Sequence, residues 1–187
     1  MGEAGYLAAL IPEEYGGAGL PISAAAAILE EIQQQGCNGG AVHAQMYIMG
    51  TVLRHGSDAQ KAAYLPKIAT GELRLQAFGV TEPSSGTDTL SLKTTARRDG
   101  DAYIINGQKI WTSRAEHSDL MLLLARTTPK VEAANRSEGL SVFLVDMKAA
   151  IVAGSLTIRP IDTMMNHATT EVFFDNMVVP AANLIGE

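Results

Sequence analysis

Apolar positions in the first third of the chain recur at helical spacing. Over residues 22–32 they stand three or four apart, with Glu and Gln between them, and a second stripe runs over 42–53. Both stripes predict amphipathic helices. Ser23 is a candidate cap for the first helix. Asp58 is the expected cap of a third helix over 58–68, in which Pro66 predicts a kink.

Beyond Gly71 the pattern changes to the period of two that is typical of strands. Residues 73–78 alternate in this way, and the dipeptides Asp99-Gly100 and Asn106-Gly107 predict turns that bracket a strand over 103–105. Four further stretches have the length and composition of strands, at 120–125, 140–145, 155–160 and 171–174. The polar stretch 127–138 is expected to be an exposed loop.

These elements predict an α+β chain, because the strands are not interleaved with helices as they are in α/β proteins. We expect a helical part over 1–72 and a β-rich part over 73–187, with six or seven mainly antiparallel strands. The Gly-x-Gly-x-x-Gly fingerprint of a doubly wound nucleotide-binding fold does not occur in the sequence.

Charge and composition narrow the classes of function. The chain of 187 residues has 14 Lys and Arg against 20 Asp and Glu, a net charge of −6. We do not expect it to bind nucleic acid, whose phosphates require concentrated positive charge. No apolar run approaches the roughly 20 residues that cross a bilayer, so no membrane span is expected. The single Cys37 suits a reducing, intracellular compartment.

A stretch rich in hydroxyl groups follows the first predicted strand. Residues 80–88 read Val-Thr-Glu-Pro-Ser-Ser-Gly-Thr-Asp. Hydroxyl and backbone N–H groups of such a loop can bind the polar edge of a cofactor or a phosphate. The alternative, which composition alone favours, is a turn whose hydroxyls bond their own backbone. Glu82 within it is interpreted as structural.

The only tryptophan also lies beside hydroxyl groups. Trp111 is followed by Thr112 and Ser113 at a predicted strand end. A flat aromatic beside hydrogen-bond donors can stack on a planar heterocycle and bind its edge. The alternative is a core tryptophan. The four histidines lack the spacing of a metal site, and no Gly-x-Ser-x-Gly elbow marks a nucleophile, so no metal ligand or catalytic residue is assigned.

Several motifs in order together resemble the acyl-CoA dehydrogenase family of flavoproteins. They lie at 11–19 (Ile-Pro-Glu-Glu-Tyr-Gly-Gly-Ala-Gly), 56–61, 80–88, 106–111 (Asn-Gly-Gln-Lys-Ile-Trp) and, in three short pieces, between 173 and 186. The resemblance covers nearly the whole chain. It implies a partial N-terminal helical bundle, an antiparallel, barrel-like middle β-domain, and FAD as the cofactor.

The resemblance also implies which residues contact FAD. Phe78, Val80 and Thr81 would line the isoalloxazine, with Thr81 donating near its pyrimidine side. Trp111 would pack against the ring, and Ser113 would form a hydrogen bond near N5. Fixed donors of this kind stabilise the negative charge that a flavin gains on reduction.

The same resemblance implies a substrate, a reaction and partners. Thr87 would reach the FAD pyrophosphate region and the bound acyl-CoA. The reaction would be α,β-dehydrogenation of an acyl-CoA thioester, with electrons passed to an electron-transferring flavoprotein, in an enzyme that is a homo-oligomer at full length. The expected location is the bacterial cytoplasm, or the mitochondrial matrix in a eukaryote.

The family's general base is a Glu in a C-terminal helical domain that has no counterpart in these residues. The resemblance therefore implies a fragment that is inactive alone and binds FAD weakly. Two other functions stay open: a flavin-dependent oxidase or monooxygenase of the same fold, and a non-catalytic binding or assembly module.

Overall fold

The computed structural model describes residues 4–129, 132–133, 135, 137–166 and 168–186. Their contacts divide the chain into two compact units, one that runs up to Gln76 and one that spans Ala77–Ile185. Each unit has an apolar cluster of its own. No helix among the described residues is long and apolar enough to cross a membrane.

The first unit contains the three predicted helices, α1 (Ile22–Gln34), α2 (Gly40–His55) and α3 (Asp58–Ala69). Ala25 of α1 packs with Val42 and Met46 of α2, as the spacing of the apolar residues predicts. Helix α3 continues through Pro66 to Ala69.

Both predicted helix caps are wrong, by one or two residues. Helix α1 follows Pro21 and has no side-chain cap, because Ser23 lies inside its first turn. At α3 the cap is Ser57, one residue before Asp58. The Ser57 hydroxyl accepts from the backbone N–H of Gln60 at 3.2 Å, and the Gln60 side chain accepts from the Ser57 N–H at 3.0 Å. This capping box satisfies two otherwise unpaired N–H groups at once.

Eight strands form one sheet. They are β1 (Leu75–Gly79), β2 (Thr95–Asp99), β3 (Ala102–Ser113), β4 (Leu120–Arg126), β5 (Leu140–Asp146), β6 (Leu156–Pro160), β7 (Thr169–Pro180) and β8 (Leu184–Ile185), with a short helix α4 (Met147–Val152) between β5 and β6. Their order is β6-β7-β3-β2-β4-β5-β8, and β1 pairs with β4. The β2–β3, β3–β7, β4–β5, β5–β8 and β6–β7 pairs are antiparallel.

The α+β class is confirmed, and the sheet does not close into a barrel in the described residues, since β6 and β8 each pair with one neighbour. Strand β4 is buried along almost its whole length, as its apolar composition predicts. Phe143 of β5 and Val172 of β7 are fully buried in the core beside it. The described residues of the 127–138 loop belong to no helix or strand.

Asn106-Gly107 does not form the predicted turn. Strand β3 runs straight through it for 12 residues and pairs with β7 on both sides, with a register shift between Ile105 and Gly107. The Asn106 side chain accepts from the backbone N–H of Asn176, the extra residue of this bulge on β7. A side chain at Gly107 would place its Cβ 2.5 Å from the Thr94 hydroxyl, so only glycine fits there. The dipeptide therefore lies within a long strand, opposite a bulge of β7.

Candidate functional site

Five of the six predicted cofactor-binding residues lie on two neighbouring segments of the β unit. The Lys109 ammonium donates to the carbonyl of Val80 at 2.9 Å. The N–H of Ile110 donates to the carbonyl of Thr81, also at 2.9 Å. These two bonds hold the segment that follows β1 against the second half of β3, where the predicted tryptophan and serine lie.

Trp111 is turned to the surface by a bulge in β3. Between the pairs Lys109–Val172 and Thr112–Thr170, two residues of β3 face one of β7, and Trp111 has a left-handed φ of 60°. In a regular strand Trp111 would share the buried face of Lys109, since side chains alternate. The bulge reverses this order, and the Trp111 side chain is 57% exposed. The core-tryptophan alternative is therefore wrong. Phe78 on β1 is a second exposed aromatic residue.

Two half-buried hydroxyls lie on the same two segments. Ser113 pairs with Thr169 of β7, and its Oγ accepts a hydrogen bond of 2.8 Å from the side-chain amide of Asn166. Thr81 is fixed through its backbone. Neither hydroxyl meets an acceptor among the described residues, so both are available as donors to a ligand.

Thr87 is not brought together with the other five. It is exposed, and no hydrogen bond among the described residues ties it to them. In the same loop, Ser85 follows the turn interpretation: its backbone pairs with that of Glu82, and its hydroxyl donates to the carbonyl of Asp88 at 2.5 Å. Ser84 and Thr87 are the hydroxyls of this loop that face solvent.

A buried ion pair holds the loop of residues 80–88 to strand β3. The Lys109 ammonium lies 2.9 Å from the Glu82 carboxylate, with Lys109 fully buried and Glu82 5% exposed. The two carboxylate oxygens also accept the backbone N–H groups of Thr94 at 2.9 Å and Lys93 at 2.6 Å. Glu82 is thus structural, as expected, and it joins the loop to β3 and to the residues that enter β2.

Burial and hydrogen bonding oppose each other at this pair. Burial by itself would raise the pKa of the Glu82 carboxyl, but the hydrogen bonds from Thr94, Lys109 and Lys93 outweigh it and hold that pKa below its ordinary value. Burial lowers the pKa of Lys109, against the attraction of Glu82. Because the charges of Glu82 and Lys109 cancel, this pair adds no net charge next to the site.

The sequence reasoning did not identify Lys109 or Asn166 as parts of this site. Lys109 had a detectable signal, because it follows Tyr103 and Ile105 on the odd-numbered, inward-facing positions of β3. A lysine at such a position requires a buried partner. Asn166 had none, since its bond to Ser113 spans 53 positions of the chain.

The donor set of the site fits a flavin ring. An exposed flat aromatic stands beside two neutral hydroxyl donors, and the buried charges of Lys109 and Glu82 cancel. A neutral, planar heterocycle with polar edges requires such surroundings. The described residues contain no group of three or more His, Cys, Asp or Glu side chains that could hold a metal ion.

Two cavities lie within the helical unit. The larger, about 540 Å³, is lined mainly by α2, including Met46, Tyr47 and Arg54. The smaller, about 440 Å³, is more apolar and is lined by Ile28 and Ile32 of α1, with Tyr6 and Cys37. None of the six predicted site residues lines either cavity.

Comparison with known proteins places the chain in a family. Residues 1–72 match the acyl-CoA dehydrogenase N-terminal domain, and residues 77–177 match the acyl-CoA dehydrogenase middle domain. The chain therefore belongs to the acyl-CoA dehydrogenase family.

Individual relatives agree with this assignment. The chain is 36% identical to acyl-CoA dehydrogenase FadE26 of Mycobacterium tuberculosis, over 100% of this chain and 45% of that protein. It is 36% identical to glutaryl-CoA dehydrogenase of Desulfococcus multivorans, over 100% of this chain and 48% of that protein. An acyl-CoA dehydrogenase structure from Geobacillus kaustophilus matches with a TM-score of 0.90 at 33% identity, over 100% and 48%. The chain thus spans about half the length of these relatives.

Proposed function

We propose that this chain forms the flavin-facing β wall, with part of the helical bundle, of an FAD-dependent acyl-CoA dehydrogenase. The reaction is α,β-dehydrogenation of an acyl-CoA thioester. One observation carries the proposal: the β3 bulge turns Trp111 outward beside the hydroxyls of Thr81 and Ser113. A strained, exposed tryptophan has no role in a core, and backbone strain of this kind clusters at functional sites.

Each residue of the site has a separate part in binding. A bound flavin supplies the two-electron acceptor of the reaction. Trp111 covers one part of the ring, while Phe78 and Val80 add apolar surface that excludes water. Thr81 and Ser113 donate to the polar edges, where fixed donors stabilise the negative charge that arises on reduction. Thr87, exposed on its loop, binds toward the pyrophosphate and the acyl-CoA.

No described carboxylate is assigned as the base that removes the substrate α-proton. Glu82 directly follows the site residue Thr81, but its carboxylate is buried and accepts hydrogen bonds from Lys109 and two backbone N–H groups. Its lowered pKa also opposes the uptake of a proton. We therefore expect little reduction of a dye by acyl-CoA with these 187 residues alone, and we test binding instead of turnover.

The electron acceptor and the assembly follow from the same proposal. Electrons pass to an electron-transferring flavoprotein, in a homo-oligomer of the complete enzyme, located in the bacterial cytoplasm or in the mitochondrial matrix. A flavin-dependent oxidase or monooxygenase of this fold would instead consume O₂ when acyl-CoA is added. An oxygen electrode, applied to the complete enzyme, distinguishes these two outcomes.

The single tryptophan provides a direct test of flavin binding. Because Trp111 is the only tryptophan of the chain, its fluorescence reports on the proposed site and nowhere else. We expect FAD to quench the Trp111 emission in a saturable way, while ADP, which lacks the ring, leaves that emission unchanged. Emission that FAD does not quench saturably, or that ADP quenches equally, would contradict the proposal.

A further inference from the structure

We infer that Asn166 is a positioning residue that directs the hydroxyl proton of Ser113 toward the flavin edge. The inference rests on the proposed function and goes beyond it, because it assigns the polarity of a hydrogen bond and the residue that sets it. Asn166 lies on the connection between β6 and β7, outside every motif that carried the family resemblance.

The structure holds Asn166 in one conformation. Its backbone is left-handed, with a φ of 57°, which asparagine tolerates better than most residues. Its carbonyl accepts from the N–H of Thr169 at 3.1 Å and from the hydroxyls of Thr169 at 2.7 Å and Thr163 at 3.2 Å. With the backbone fixed by these bonds, the side-chain amide has a defined place, 2.8 Å from the Ser113 Oγ.

The polarity of the bond follows from the chemistry of the two groups. A serine hydroxyl has one proton and two lone pairs. The Asn166 amide donates into one lone pair, so the hydroxyl proton cannot point at Asn166. Ser113 is only half-buried and meets no acceptor among the described residues. Its proton is therefore directed outward, to the side on which Trp111 is exposed.

This arrangement suits a ligand that gains negative charge. Without Asn166 the hydroxyl could rotate, and part of its population would present a lone pair instead of a proton. A donor that is already oriented does not have to reorganise when the charge arises. Ser113 thus acts on the ligand, and Asn166 acts through Ser113.

Asn166→Asp reverses the polarity with almost no change of size. The Asp carboxylate can only accept, so the Ser113 hydroxyl would donate its hydrogen bond to Asp and no longer to the flavin. We expect N166D to weaken FAD affinity about tenfold, as much as S113A does, which corresponds to the loss of one hydrogen bond. Asn166→Ala, which only frees the Ser113 hydroxyl to rotate, should weaken FAD affinity less than N166D does. The readouts are quenching of Trp111 emission in the full chain and the position of the flavin absorption bands.

A double-mutant cycle separates positioning from a structural role. In the S113A background no hydroxyl remains to be oriented, so N166D should lower the affinity only by the small effect of its added charge. Asn176→Asp is the matched control, since Asn176 is also left-handed, with a φ of 46°, at the other β3–β7 bulge. It should leave the flavin spectrum unchanged.

The outcomes are distinct. Equal losses from N166D with the native Ser113 and in the S113A background would overturn the role of Asn166 while leaving the proposed function intact. An unsubstituted chain that does not bind FAD would overturn the proposed function itself, and this inference with it. If N166D does not fold, the cycle of N166A with S113A makes the same comparison with a smaller expected effect.

Discussion

Thr112, the neighbour of Trp111, has a hydroxyl without a partner. The side chain is 1% exposed, and its Oγ1 is the buried side-chain polar atom that finds no hydrogen bond among the described residues. The bulge that turns Trp111 outward turns Thr112 inward, where its side chain is buried. Burying a hydroxyl without a hydrogen bond costs free energy of folding.

Thr112→Val should therefore stabilise the protein. Valine has the same shape without the hydroxyl, so we expect the free energy of unfolding to rise by about 1 kcal/mol. Thr170→Val is the matched control, because the fully buried Thr170 donates to the Thr112 carbonyl at 2.8 Å. That variant should lose about 1 kcal/mol. Denaturant unfolding measures both values, and changes of the same sign would contradict the interpretation.

At the scale of elements, two bulges interrupt the pairing of β3 with β7, and the second of them places the site. At the first, Asn176 is the extra residue on β7, and at the second, Trp111 is the extra residue on β3. Each has a positive φ, of 46° and 60°. The second bulge reverses the alternation of β3, which is why Trp111 is exposed and Thr112 is buried. The backbone strain of Trp111, a non-glycine residue with a left-handed φ, is thus tied to the exposure of its ring.

Substitutions of Trp111 should reveal this strain. In an ordinary strand, glycine is less stable than alanine by about 0.5–1 kcal/mol. At Trp111 we expect the reverse, with W111G more stable than W111A by about 1 kcal/mol, because only glycine adopts a φ of 60° without cost. Both variants lose the same ring, so their difference isolates the backbone. Thermal or denaturant unfolding measures it, and greater stability of W111A would show that the bulge is unstrained.

For the whole molecule, the buried pair links stability to pH although the net charge of −6 lies almost entirely on the surface. The pKa of Glu82 is held below its ordinary value of 4.5. A carboxyl with a depressed pKa in the folded state stabilises that state fully above its unfolded pKa. As the pH falls from about 4.5 through the folded pKa, the contribution is lost.

Acid titration of the unfolding free energy tests this link. Wild-type protein should lose stability below about pH 4.5, and the E82Q/K109M double variant, which lacks both charges of this pair, should lose less over the same range. The double variant avoids the isolated buried charge that either single substitution would leave. E116Q, which changes an exposed carboxyl, is the control. Its unfolding free energy should vary with pH as that of the wild-type protein does. Parallel curves for wild type and the double variant would refute the assignment to Glu82.

The sequence by itself determined which elements form, the α+β class and the motifs of the family, because apolar spacing and short motifs are local properties of the chain. It located the two hydroxyl-bearing segments for the same reason. Local signals were ambiguous where two solutions have similar energy: Ser23 and Asp58 were plausible caps, and Asn106-Gly107 suits a turn as well as a position opposite a bulge.

Only the tertiary structure decided how the site is built. Trp111 is exposed because the register against β7 shifts by one residue, which no pattern within β3 reveals. Lys109 can be buried because Glu82, 27 positions earlier, lies 2.9 Å away. Ser113 is oriented by Asn166, 53 positions further along. Each of these features depends on contacts between residues that are distant in the chain, and these contacts exist only once the strands have paired.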